Sequence, residues 1–166
     1  MFELKRLRRE AVPAALEKAQ RYRLLNEPIE AESICLDVLA VDPDNAEALA
    51  TLVLALSDQF ERRLGDKFEQ ARALLGRFPS DYERHYYEGI LCERRAKVSL
   101  GQNGPGSGAV AYEWFREAMH HFEQAHALRP DGNDDATLRW NTCARILNRN
   151  PAVVPGADEP INDMLE

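Results

Sequence analysis

Only three of the 166 residues are cysteines, and no two of them form a Cys-x2-Cys pair. That absence removes the usual spacing of zinc and thioredoxin-like sites. Cys35, Cys92 and Cys143 are odd in number and far apart, so reduced thiols packed in a core are expected. Long apolar runs are missing too: nothing approaches the roughly eighteen residues of a membrane-spanning helix, and no membrane span is expected. The N-terminus, Met1-Phe-Glu-Leu-Lys-Arg-Leu-Arg-Arg, is basic but has no apolar stretch behind it. A secretory leader is therefore not expected, and a cytoplasmic location is. Serines 33, 57, 80, 99 and 107 include no Gly-x-Ser-x-Gly. No Gly-Lys-Ser/Thr follows the glycines of 100–109, and no strand-like run precedes them. A nucleophile elbow and a phosphate-cradling loop are both unsupported. No alternating run of strand length occurs anywhere.

What is present is helical. The length suits one domain with its own core, and 30% of residues are charged, with a net charge of −7. The charge is uneven. Lys5, Arg6, Arg8, Arg9, Lys18, Arg21 and Arg23 face only Glu3, Glu10 and Glu17 in the first 25 residues, so the remainder is strongly acidic. Such a start could grip RNA or anionic lipid. Phe2, Leu4 and Leu7 are few for an insertion face, however, and an acidic body without a basic stripe disfavours DNA or bulk nucleic-acid binding.

Punctuation divides the chain. Pro13 suits the first turn of a helix, and Asn26-Glu-Pro28 reads as a turn. Asp42-Pro-Asp-Asn45, Phe78-Pro-Ser-Asp81 and Asp131-Gly-Asn-Asp-Asp135 each end one helix and offer oxygens to cap the next. The glycines of 100–109 predict a long non-helical loop, and the prolines after Asn150 predict an irregular tail. Within that tail, Ile161, Met164 and Leu165 have the spacing of one amphipathic turn.

The segment 118–130 places Ala118, Phe122, Ala125 and Pro130 at the spacing A-x3-F-x2-A-x4-P. Two alanines on one helical face allow a close neighbour, the phenylalanine fills the space between them, and the proline ends the helix. The same register fits Ala19 and Tyr22 followed by Ala31, Cys35, Val38 and Pro43. It fits Leu49, Leu52, Val53 and Leu56 followed by Phe68, Ala71, Leu75 and Pro79, with 57–66 as extra residues between the helices. Tyr82, Tyr86, Gly89 and Cys92 open a third copy, and Trp140-x2-Cys143-Ala144-x2-Leu147 resembles one further opening helix. This pattern resembles the tetratricopeptide repeat family.

The resemblance implies an all-α fold of stacked antiparallel hairpins in a right-handed superhelix. Its parts would be a basic helical lead at 1–11, a repeat domain over 12–149, and a tail at 150–166. The repeats would cover 12–45, 46–80 and 81–130, with the glycine-rich insertion at 99–109 and a capping helix at 134–149. It also implies that the first helix of each repeat lines a concave groove for a partner peptide or helix. Projection places Leu16, Gln20, Arg23, Glu47, Leu54, Asp58, Tyr86, Ile90, Glu93, Arg94, Asn141, Arg145, Asn148 and Arg149 there. Family members that clamp chaperone C-termini use lysine, asparagine and arginine on successive first helices. Leu16, Gln20, Glu47, Ala50, Thr51 and Leu54 argue against that role here.

The expected function is thus a non-catalytic protein-interaction module, an adaptor, assembly factor or accessory subunit, with no cofactor and no metal. One rival is a helical metal- or ligand-binding enzyme centred on Glu117 and His120. The Glu-x2-His spacing is that of carboxylate-bridged di-iron bundles, although no second copy occurs. The other rival is attachment to lipid or RNA through the N-terminal segment.

Overall fold

The computed structural model describes residues 1–156, and the turn expected around 161–165 lies outside them. Among the described residues the chain is all-helical, with seven α-helices, two 3-10 turns and no strand. The helices are α1 (Val12–Leu24), α2 (Pro28–Val41), α3 (Ala46–Ser57), α4 (Phe60–Ala73), α5 (Asp81–Gly101), α6 (Ser107–Leu128) and α7 (Asp135–Arg149). None is long and apolar enough to cross a membrane.

Caps set several boundaries. The Asn45 side chain accepts from the Ala48 amide at 2.9 Å, starting α3. Ser80 accepts from the Glu83 amide at 3.2 Å, and its hydroxyl donates to the Glu83 carboxylate at 2.8 Å. Each satisfies an amide that the first helical turn leaves without a partner.

Connectors of two to seven residues join successive helices. Every helix packs on the next, and the odd-numbered ones also touch, α1 with α3, α3 with α5 and α5 with α7. One core joins α1 to α4 and includes Phe60, Phe68 and Phe78; a second joins α5 to α7 around Phe115 and Phe122. Between them the Arg95 guanidinium lies 4.5 Å from the Phe68 ring and 4.0 Å from Trp114, and the two rings meet edge to face. That cation–π contact seals the seam.

Three sequence expectations need correction. The glycine-rich insertion at 99–109 is not a long loop, because α5 runs through Gly101, α6 starts at Ser107, and only 102–106 leave the helix. Glycine near a helix end escapes much of its interior cost. Gly106 takes the left-handed φ of 77° that the turn requires, while a Cβ on Gly108 would lie 2.3 Å from the Ala152 carbonyl oxygen. Next, 57–66 do not separate α3 from α4. The connector is Asp58 and Gln59, and the irregularity is a break inside α4 at Arg63, just before the weak helix former Gly65. Finally, the basic lead is not helical. Residues 1–8 have no regular structure and only Arg9–Ala11 form a 3-10 turn. Pro13 lacks the N–H that would continue α1 backwards.

Candidate functional site

Arg23 lies in the last turn of α1, Asp58 just after α3, Glu93, Arg94 and Lys97 on α5, and Arg139 on α7. They converge on one cleft of about 450 Å³, whose lining also includes Leu24, Asn26, Ser57, Phe60, Glu61 and Val98. Glu93 is its buried support.

Two carboxylates organise the cations. Asp58 receives Arg23 in a fork, Nε on Oδ2 at 2.7 Å and Nη2 on Oδ1 at 3.4 Å. Arg94 donates to the same carboxylate, to Ser57 Oγ at 2.8 Å and to the Leu54 carbonyl at 3.4 Å. Glu93 is fully buried, 0% exposed. It receives Lys97 on one oxygen and Arg139, at 3.4 Å, on the other. A buried carboxylate is tolerable only when it is paired in this way. For Arg139, burial pulls the guanidinium pKa down, but Glu93 and a hydrogen bond with Tyr86 outweigh it and the net shift is upward. Arg139 therefore stays cationic.

The arithmetic of donors favours an anion. Four cations meet two structural carboxylates, and Glu61 is the further acid in the lining. A guanidinium offers five N–H donors and an ammonium three. Arg23 commits two nitrogens to Asp58 and Lys97 makes one bond to Glu93. Positive charge and donors remain for an incoming oxyanion. Leu24, 88% exposed at the rim, and Leu25 and Ile29 close by in sequence, add apolar surface.

The projected residues do not stay together. Arg23, Asp58 and Arg94 are together in the cleft. Leu16, Ile90 and Glu93 were expected to be groove surface and are not, since Leu16 and Ile90 are 4% and 2% exposed and belong to the core while Glu93 is buried beneath the cations. α5 contacts α3, α4, α6 and α7, so it has little open surface along this stretch. Gln20 instead donates to Glu47 at 2.8 Å, tying α1 to α3. Tyr86 is half-buried, stacked on Tyr82 and against Phe122. Asn141, Arg145, Asn148 and Arg149 lie on α7 outside the cleft lining. Lys97 and Arg139 were missed. Lys97 follows Glu93 by four residues, the spacing of a helical ion pair, so that pair was readable. Arg139 was displaced because the projection counted from Trp140 and took the wrong face of α7.

Glu117 and His120 do not come together as a ligand pair. Glu117 pairs with His121, Oε1 to Nε2 at 3.3 Å, while His120 is exposed. Among the described residues, no three His, Cys, Asp or Glu gather closely enough to hold a metal ion. Burial pushes the Cys35, Cys92 and Cys143 thiols up to about 12, so they are not thiolates at neutral pH. At the N-terminus, Arg9 donates to the Val41 carbonyl and pairs with Asp42, so this segment presents no amphipathic helix. No protein-family model, curated protein or solved structure matches this chain.

Proposed function

We propose that the chain is a non-catalytic protein-interaction module of tetratricopeptide type. Its odd-numbered helices form the receiving face, and its cleft takes an acidic, partly apolar segment of a partner protein. The observation that carries this reading is the convergence of Arg23, Arg94, Lys97 and Arg139 from three helices in a chain of net charge −7. Concentrating positive charge against the overall sign creates a local potential that selects anionic partners and speeds their approach. The contacts among α1, α3, α5 and α7 support the repeat-like stacking. The apolar rim at Leu24 supplies contact area that charge alone does not.

The test is affinity capture from native lysate with the wild type and with the triple variant Glu93→Gln, Lys97→Gln, Arg139→Gln, which removes the buried carboxylate together with its partners, each confirmed as folded by circular dichroism. The triple variant should lose a salt-sensitive partner, with binding weakened by roughly 1–4 kcal/mol, as for arginine-anchored interfaces. An exposed pair on α7, Arg145→Gln with Arg149→Gln, should leave that partner in place. The reverse pattern would move the interaction to the outer face of α7.

A further inference from the structure

We infer that His85 and His121 form a two-nitrogen site for a borderline divalent transition metal, of the class of Zn²⁺, Ni²⁺ or Cu²⁺, bridging α5 and α6. The inference is independent of the cleft. The two Nδ1 atoms face each other at 3.2 Å, with ring centroids 5.5 Å apart. Two imidazole nitrogens bound to one tetrahedral metal at about 2.0–2.1 Å are separated by roughly 3.3 Å. The apo separation therefore already matches the length of one edge of a coordination tetrahedron.

The tautomer fits as well. Glu117 Oε1 lies 3.3 Å from His121 Nε2, which favours the tautomer protonated there and a lone pair on Nδ1, the nitrogen that faces His85. A carboxylate behind a ligating imidazole is the usual outer partner that orients the ring and raises its basicity. Without metal, a His85 Nδ1–H donated to His121 Nδ1 satisfies both rings; a metal displaces that single proton and takes both lone pairs. Glu88, 7% exposed, stands one turn along α5 from His85, with Arg72 on its outer side at 2.9 Å. Glu88 is thus occupied by Arg72, and Glu117 is the carboxylate at the site that favours a cation.

The ligand set defines the metal class. Imidazole nitrogens suit Zn²⁺, Ni²⁺ and Cu²⁺, whereas Mg²⁺ and Ca²⁺ require oxygen. The protein supplies two positions, and the His121 side chain is 17% exposed, so water or an exogenous donor can complete the shell. α5 and α6 pack along their length, which fixes the ring positions before the metal arrives.

The experiment is equilibrium dialysis of chelator-treated protein against ZnCl₂, NiCl₂ or MgCl₂, with metal counted by atomic emission. Wild type should take up one equivalent of Zn²⁺ or Ni²⁺ and no Mg²⁺. His85→Ala and His121→Ala should each lose that equivalent, and His120→Ala should keep it. Glu117→Gln should weaken binding about 10- to 100-fold, as outer-partner changes commonly do. Addition of Ni²⁺ to the wild type gives a readout that needs no variant: the ring-proton resonances of His85 and His121 should broaden before those of His120 and His126. No uptake by the wild type, uptake unchanged in both alanine variants, or equal broadening of all four histidines would overturn the site.

Discussion

In the α5–α6 pair two long unbroken helices meet along small residues, whereas in the α3–α4 pair the second helix breaks at Arg63 and is tethered by side chains from elsewhere. Ala111, Ala118 and Ala125 of α6 are fully buried with Phe115 and Phe122 between them, and Phe122 occupies the space that a Cβ on Gly89 would need. In the other pair, α3 has eight of its twelve residues buried, as befits a helix enclosed on most sides. α4 shares a core with it through Phe60 and Phe68 and is tied to α2 by a polar knot: Lys67 Nζ reaches both Glu32 oxygens at 2.8 and 2.9 Å, and Gln59 joins at 2.6 Å. Close backbone approach makes helix continuity necessary. A tether of long side chains tolerates a break.

Substitutions can break or sharpen this contrast. The largest effect should come from Phe122→Ala, which empties the α5–α6 interface and should cost about 3–5 kcal/mol in denaturant unfolding. Lys67→Met leaves Glu32 with Gln59 alone at a site about four-fifths buried, and should cost about 1–3 kcal/mol. A double-mutant cycle with Glu32→Gln should recover part of that loss; a zero coupling term would mean the tether is idle. Gly89→Ala puts a methyl 2.6 Å from Phe122 Cε1 and should cost about 1–2 kcal/mol through overpacking. Gly65→Ala in α4 has no atom within 4 Å of the new methyl and should stabilise by about 0.5–1 kcal/mol. Opposite signs for the two glycines test directly whether the pairs differ as described.

The smallest effect concerns acidity. Burial pushes the Glu88 carboxyl above its usual value, with Arg72 only partly offsetting it. A carboxyl whose folded pKa is raised favours folding below its unfolded pKa, about 4.3. That contribution disappears as pH rises through the higher folded value. Glu88→Gln should therefore flatten the stability profile in that window, as urea midpoints across pH would measure.

The all-helical character was legible because periodicity, Pro28 and the caps Asn45 and Ser80 are local signals, and local signals survive in a linear text. The α5–α6 contact was legible for the same reason, since Ala118, Phe122 and Ala125 encode one face of one helix. The break at Arg63 was misplaced as a linker because what holds α4 is Glu32, thirty-five residues from Lys67. For the cleft, Arg23, Asp58 and Arg94 were found by helix face. The burial of Ile90 and Glu93 was missed, since burial depends on how many neighbours close around α5. Arg139 was missed because the projection took the wrong face of α7, and two residues along a helix reach nearly the opposite side. The His85–His121 meeting had no sequence signal, as the two residues lie on different helices with no shared spacing.

Every substantial helix contact joins partners one or two places apart along the chain, and this bears on how the protein comes into being. Chains dominated by near neighbours close short loops first and fold rapidly. During synthesis, α1 to α4 can bury their own core while α5 to α7 are still being made. Arg95 and Trp114 arrive later to cover Phe68, so until they emerge that face of the nascent chain stays uncovered, and its closure marks the moment when the two cores become one body.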